Sequence, residues 1–341
     1  MSTFENQTAW ITAPKARPLE VGPGPTPTPG ENDVVIQVRY VAINPVDWKI
    51  QDNPTFEFPY PFVLGADVAG TIVQLGSKVT RFKLGQRVIG HCDAYLTQKS
   101  DRAGFQLYTV VREILVSAVP SSLPLSQAAV LPLCYSTASS ALYVQLDLPL
   151  PSLTPKPTGK RILLWGGSSS VGSSAIQLAV ASGLEVVTTA SSVNHEYVKS
   201  LGATHVFDHK DADVIDKIVN VLKPGDYVVD CITNQATQVL CGEVLGKIGG
   251  GKLPLMFFPE GQFPENVQTS FVNGLDPGMV NLDVGDAVWQ KYLPEALRTG
   301  KFQAKPDPFV ITGGLEKVQE GIDILRQGVS AKKVVIEVAS E

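Results

Sequence analysis

Chemistry is most concentrated at Gly166-Gly167-Ser168-Ser169-Ser170-Val171-Gly172. The run follows an apolar, strand-like stretch, Arg161 to Trp165, and precedes a stretch whose apolar spacing predicts a helix from near Ser173 to Ala181. Glycines let a backbone approach a phosphate closely, and a helix N-terminus offers unpaired N–H groups with a partial positive charge. Glycines in a strand–turn–helix setting form a pyrophosphate cradle for a dinucleotide. The tip of the next expected strand reads Thr189-Ala190-Ser191-Ser192, with Asn194 just beyond. Sites that select a free ribose 2′-hydroxyl place Asp or Glu at this tip. No carboxylate occurs in that stretch, and its hydroxyls and amide can donate to a 2′-phosphate, so NADPH is expected over NADH. The same serines also suit the cap of the following helix, and the two uses are compatible.

A second pair of chemically capable residues, His91-Cys92, invites a metal, but adjacent side chains on a strand point to opposite faces. Cys92, Cys134, Cys231 and Cys241 are widely separated, with no CxxC pair, and read as free thiols. No metal site is expected.

The elements that must position these residues fall into two patterns. Short strands separated by Pro and Gly (Val34 to Ala42, Val68 to Leu75, Arg87 to Gly90) imply a β-rich, barrel-like unit, preceded by an extended, irregular Pro18 to Gly30. Helical stretches begin near Ser126, and beyond a Pro-rich surface loop, Leu148 to Pro157, apolar strands alternate with helices. The expected strands are Arg161 to Trp165, Glu185 to Ala190, His205 to Phe207, Tyr227 to Cys231 and Lys252 to Phe258, with a helix at Glu196 to Leu201, giving a doubly wound parallel sheet. A helix near Gly314 to Gln327 and a strand Lys333 to Val338 return the tail to the first domain; no internal repeat is present. The fold class is α/β, in two domains.

Composition excludes several partners. The chain has 341 residues, a net charge of −5 and 28 basic residues that are scattered, not gathered into a stripe for a phosphate backbone, so no nucleic acid is expected. No apolar run approaches the roughly 20 residues of a membrane helix, and Met1 to Trp10 lacks the pattern of a secretory leader, so no membrane association and a cytoplasmic location are expected.

Ile43-Asn44-Pro45-Val46-Asp47-Trp48-Lys49 resembles the active-site segment of the medium-chain dehydrogenase/reductase superfamily, and Phe62-Val63-Leu64-Gly65-Ala66-Asp67-Val68-Ala69-Gly70 its next block. The likeness continues through Gly85-Gln86-Arg87-Val88, the Gly-rich turn, Lys199-Ser200-Leu201-Gly202-Ala203, Gly314-Leu315 and Lys332-Lys333-Val334-Val335. It implies a GroES-like catalytic domain from residues 1–134 and 306–341 and a Rossmann NADPH-binding domain from 135–305, with cofactor and substrate meeting in a cleft. The zinc ligands of the alcohol dehydrogenase members are absent: no cysteine occurs at Asn44 to Asp47, the Gly-His-Glu block is Gly65-Ala66-Asp67, and Gly90 to Phe105 lacks the four structural cysteines. Oxidation through a zinc alkoxide is therefore not expected.

Within the zinc-free branch, Asn44 to Lys49, Phe207-Asp208-His209, Asp230-Cys231-Ile232-Thr233-Asn234 and Phe258-Pro259-Glu260 resemble fungal trans-acting enoyl reductases of polyketide biosynthesis, the lovastatin enoyl reductase type. The resemblance implies NADPH-dependent reduction of an α,β-unsaturated substrate, either a free small molecule or one carried by a polyketide synthase. By position it assigns cofactor contacts to Val46, Asp47, Trp48 and Lys49, to Ser168, Ser169, Ser170 and Val171, to Ser191, Ser192, Val193 and Asn194, and to Leu255, Met256, Val334 and Val335. His209 stands where the family has tyrosine; an imidazole can still donate to the 2′-phosphate. The pocket lining falls to Cys134-Tyr135-Ser136-Thr137-Ala138-Ser139-Ser140-Ala141 and Gly274-Leu275-Asp276-Pro277-Gly278. Hydride addition at the β-carbon puts negative charge on the carbonyl oxygen and requires a proton at the α-carbon. Lys49 and Thr137 are the candidates, each with a bland alternative: a solvated lysine and a helix-capping or nicotinamide-binding threonine. A quinone or general enone reductase of the same fold, and a non-catalytic NADPH-binding protein, are the alternative functions.

Overall fold

Strings of Val and Ile make the strands, and Gly and Pro end them. The computed structural model describes residues 5–53 and 57–340; Met1 to Phe4 of the leader reading lie outside them. The chain begins β1 (Gln7–Ile11), β2 (Glu20–Pro23), β3 (Asp33–Ala42), α1 (Pro45–Asp52), β4 (Phe62–Val63), β5 (Asp67–Leu75), β6 (Arg87–His91), α2 (Ala94–Thr97), β7 (Tyr108–Arg112), β8 (Val116–Ala118) and α3 (Leu125–Ala128). It continues α4 (Pro132–Ser139), β9 (Arg161–Trp165), α5 (Ser170–Ala181), β10 (Glu185–Thr189), α6 (His195–Ser200), β11 (His205–Phe207), α7 (Val214–Val221), β12 (Tyr227–Asp230), α8 (Gln235–Lys247), β13 (Gly251–Leu255) and β14 (Val267–Phe271). It closes with α9 (Asp276–Met279), α10 (Leu282–Gly285), α11 (Leu293–Arg298), β15 (Asp307–Thr312), α12 (Val318–Gln327) and β16 (Lys332–Glu337).

Two compact units result, one from Met1–Leu133, Leu293–Arg298 and Asp307–Glu341, the other from Cys134–Tyr292 and Thr299–Pro306. The first is the GroES-like unit. Its main sheet runs β15-β16-β3-β5-β6-β8, with β7 also on β3, beside a small sheet β2-β1-β4. β3 is the hub: Asp33 to Gln37 pair with β7, Tyr40 to Ala42 pair with β16, and β5 lies along the other edge with two register shifts. Both faces of β3 are covered, so Val34, Val35, Ile36, Val38 and Val41 are fully buried, each such aliphatic side chain contributing about 1.5–3 kcal/mol. Arg102 joins Asp33 and Asp93 at 2.9 and 2.6 Å, fastening the start of β3 to the segment after β6.

The second unit is the Rossmann unit, with a fully parallel sheet ordered β11-β10-β9-β12-β13-β14. Leu163, Val187, Val228 and Leu253 of the sheet pack against Ile218 of α7 and Val244 and Leu245 of α8. The chain winds outward in both directions from β9, so the carboxyl end of β9 is the topological switch point, where α/β sheets bind ligands.

Several expected boundaries move. Glu20 to Pro23, within the segment expected to be irregular, pair with β1 as an edge strand, where prolines are tolerated. The strand expected over Lys252 to Phe258 ends at Leu255. β14 was not expected: five residues of mixed polarity at a sheet edge carry little apolar signal. α5 starts at Ser170, three residues earlier than expected, because Ser169 supplies its cap.

Candidate functional site

Each glycine of the turn after β9 is held by a close neighbour. A Cβ on Gly167 would lie 2.2 Å from Thr188 Oγ1, and one on Gly172 would lie 2.3 Å from the Gly166 carbonyl oxygen. Ser169 Oγ accepts from Gly172 N–H at 3.0 Å, and Gly166 N–H donates to Thr189 Oγ1 at 3.0 Å. Ser168, Ser169, Ser170 and Val171 thus span the N-terminus of α5, and the N–H groups of Ser170 and Val171 precede any helical carbonyl partner. The turn fits a pyrophosphate: it has a narrow backbone approach and a helix N-terminus with no acidic residue in its first turn.

The tip of β10 brings Ser191, Ser192, Val193 and Asn194 together in a single 3-10 turn. Val193 is 83% exposed, whereas Asn194 is buried. Here the sequence reading needs a correction. No carboxylate lies in the β10 tip itself, but Asp208, at the tip of β11, reaches it and accepts from Ser192 N–H at 3.1 Å. Its other oxygen accepts from Lys210 N–H at 3.0 Å. These backbone donors, with His209 and His195 nearby, hold the Asp208 carboxyl below its ordinary range. His209 Nδ1 stands 3.8 Å from Asp208. Any 2′-phosphate at this turn would meet one committed carboxylate as well as the hydroxyls.

Loops after β12 and β13 complete the rim of the Rossmann sheet. Asp230 Oδ1 accepts from the N–H groups of Ile232 and Thr233, both at 2.9 Å, and Oδ2 accepts from Thr237 Oγ1 at 2.7 Å. Thr233 Oγ1 in turn accepts from Met256 N–H at 3.0 Å, so Leu255, fully buried, and Met256 are fixed to the β12 loop.

The two expected pocket segments adjoin: a Cβ on Gly274 would stand 2.8 Å from Thr137 Oγ1. Much of the first segment is committed to packing. Tyr135 donates to the Val288 carbonyl at 2.9 Å and meets Trp289 and Phe302 edge-on, Ser136 Oγ accepts from Trp289 Nε1 at 3.0 Å, and Cys134 contacts Ser174 at 3.3 Å. Ala138 and Ala141 are buried, and the Ser139 and Ser140 hydroxyls are buried without a hydrogen-bond partner. A π-helix begins at Ser140, an irregularity frequent at functional sites. In the second segment Leu275, Pro277 and Gly278 are buried, and burial raises the Asp276 carboxyl.

In the GroES-like unit the residues Val46, Asp47, Trp48 and Lys49 all lie on α1. Lys49 Nζ sits 5.8 Å from the centroid of the Trp48 ring, within cation–π range. Asp47 is fully buried and folds back to accept from Asn44 N–H at 2.7 Å. Its other oxygen accepts from Tyr95, whose Oη receives the Gly65 N–H at 2.6 Å. Asn44 turns its amide into the barrel: Nδ2 donates to Asp67 Oδ2 at 2.9 Å and Oδ1 accepts from Lys333. Lys333, 3% exposed, stands 3.1 Å from Asp67, whose second oxygen accepts from Leu133 N–H at 2.6 Å. The group is a buried ammonium, a carboxylate and an amide in mutual contact. Val334 and Val335, beside Lys333, are fully buried in β16, and the Val334 carbonyl accepts from Ile43 N–H.

Burial raises the Asp47 carboxyl to about 7 from an ordinary 3.8, and Asp67 adds to this; Tyr95, Asn44 and Lys333 oppose it. Burial lowers the imidazole of His91, which faces Asp67 across the β5–β6 ladder, to about 4. No group of three or more His, Cys, Asp or Glu able to hold a metal occurs among the described residues.

Sequence reading missed Asp67, Tyr95, Lys333 and Asp208. For Asp67 a signal existed: a lone carboxylate in the apolar run Phe62 to Gly70 requires a buried partner.

Comparison with known proteins places the whole chain. The family described as "Alcohol dehydrogenase GroES-like domain" matches residues 30–121, and "Zinc-binding dehydrogenase" matches residues 170–274. The trans-enoyl reductase himH of Aspergillus japonicus is 68% identical, with 99% of each chain covered. The trans-enoyl reductase tndF of Aspergillus flavipes is 35% identical over 97% of this chain and 99% of its own. Among solved structures, an alcohol dehydrogenase superfamily protein from Novosphingobium aromaticivorans shares the fold, with a TM-score of 0.79 at 24% identity, covering 98% of this chain and 100% of its own. The chain belongs to the medium-chain dehydrogenase/reductase superfamily, alongside the fungal trans-enoyl reductases.

Proposed function

We propose that the protein is a trans-acting enoyl reductase: it reduces the carbon–carbon double bond of an α,β-unsaturated thioester built by a polyketide synthase, using NADPH, in the cytoplasm. The observation that carries this reading is the 68% identity to the trans-enoyl reductase himH over nearly the whole of both chains. Bound NADPH supplies the hydride for the β-carbon. The turn from Gly166 to Gly172 would hold the pyrophosphate, and Ser191, Ser192 and His209 would receive the 2′-phosphate. Lys49 is assigned the negative charge that develops on the thioester oxygen, and Thr137 and Gly274 a wall of the acyl pocket. A general acid beside the α-carbon completes the reaction, and Lys49 is the candidate donor.

Support for NADPH comes from the Ser191 and Ser192 hydroxyls at the β10 tip, against which stands the charge of Asp208. No helix of the described residues is long and apolar enough to cross a membrane. The test is nicotinamide oxidation with a short enoyl thioester and, separately, a small quinone, each with NADPH and NADH. Turnover of the thioester with NADPH is expected. Turnover of the quinone alone replaces the reading with a quinone reductase, and binding without turnover of either replaces it with a non-catalytic protein.

A further inference from the structure

The barrel contains a buried cation that no step above uses. Lys333 lies on β16, Asn44 precedes α1, and Asp67 opens β5, so one ammonium joins three elements far apart in the chain. A lysine this deeply buried needs partners that repay its desolvation. Here they are the Asp67 carboxylate and the Asn44 amide oxygen. The Asn44 side chain thus reaches both Lys333 and Asp67, while Asp47 closes the first turn from within the helix and is pinned by Tyr95.

We propose that Lys333 is a positioning residue: through Asn44 it fixes the start of α1 and so sets where the helix holds Trp48 and Lys49. At the far end, Arg326 and Gln319 of α12 hold Asp52 and Gln51. The helix is therefore held at both ends, with Trp48 and Lys49 between the two anchors. The kinetic consequence rests on the reductase reading; the structural consequence does not.

Lys333→Met alone strands the Asp67 charge and can fail to fold, so the test uses the charge-neutral pair Lys333→Met with Asp67→Asn in the full chain, beside wild type. Hydrogen exchange is read at the α1 amides and at the β3–β5 ladder. Exchange in α1 is expected to quicken by about ten-fold while the ladder keeps its protection. In the same preparation kcat with the enoyl thioester, read at saturating NADPH, falls by about ten-fold. Unchanged exchange in α1, equal loosening of α1 and the ladder, or a loosened α1 with unchanged kcat overturns the proposal. A wild type that reduces no enoyl thioester sinks the functional reading instead, and the exchange comparison still decides whether Lys333 positions α1.

Discussion

The turn after β9 and the floor of the barrel solve opposite problems. The turn has to admit an anion, and it does so with glycines, hydroxyls and a helix N-terminus, with hydrogen bonds that span at most 23 positions. The barrel floor has to enclose charges, and it does so by pairing Lys333, Asp67, Asn44, Asp47 and Tyr95 across the unit, with partners up to 289 positions apart. An open backbone cradle tolerates loss of a polar contact but not added bulk; a closed polar network tolerates added bulk poorly and an unpaired charge worst of all.

The sharpest way to break this contrast is to unpair the floor. Lys333→Met should destabilise the protein by about 3–5 kcal/mol in urea unfolding, because the Asp67 carboxylate stays buried without its cation. Adding Asp67→Asn should restore most of that loss, and failure to do so would mean the pair is not where the energy lies. In the turn, Gly172→Val should destabilise the fold, because its Cβ would meet the Gly166 carbonyl oxygen at 2.3 Å, and should also weaken NADPH binding about 100-fold as the turn is pushed out of its phosphate-binding shape. Calorimetric titration separates the two effects.

Proton linkage sharpens the contrast further, because the floor holds two groups with opposite shifts. Asp47, raised to about 7, adds stability that is complete below its unfolded value of 3.8 and is lost as pH rises toward 7. His91, lowered to about 4, adds stability that is complete above its unfolded value of 6.5 and is lost as pH falls toward 4. Between pH 4.5 and 6 the two slopes oppose each other, each about 2 kcal/mol over that window. Asp47→Asn should therefore make stability climb with pH there, and His91→Gln should make it fall; parallel slopes in the two variants would refute the assignment. The smallest effect belongs to the cradle: Ser191→Asp should weaken NADPH relative to NADH by about ten-fold through like charge, whereas Asp208→Asn should shift the preference toward NADPH.

How much of this was legible in the sequence follows from the same contrast. The turn, β3, β5, β9 and the doubly wound order were readable because their signals are local: a glycine pattern, apolar strings, and strands alternating with helices. The pairing of Lys333 with Asp67 was not, since Lys332 and Lys333 look alike in sequence and only β16–β3 pairing turns one of them inward. Asp208 was missed for a related reason: it lies at the tip of β11, and only the parallel β10–β11 ladder brings it to Ser192. Glu20 to Pro23 became a strand against their composition because β1 offered an edge.

The long span between Asn44 and Lys333 also bears on how the protein is made. A ribosome completes β3 and β5 early, but the lysine that balances Asp67 emerges only after all six strands of the parallel sheet. Synthesis thus finishes the inserted sheet while the unit interrupted by it in sequence still lacks β16, and the nascent unit carries an unbalanced carboxylate until that strand arrives. Domain-wise folding during translation would then proceed inside out, with the inserted unit settling first and the unit that begins the chain settling last.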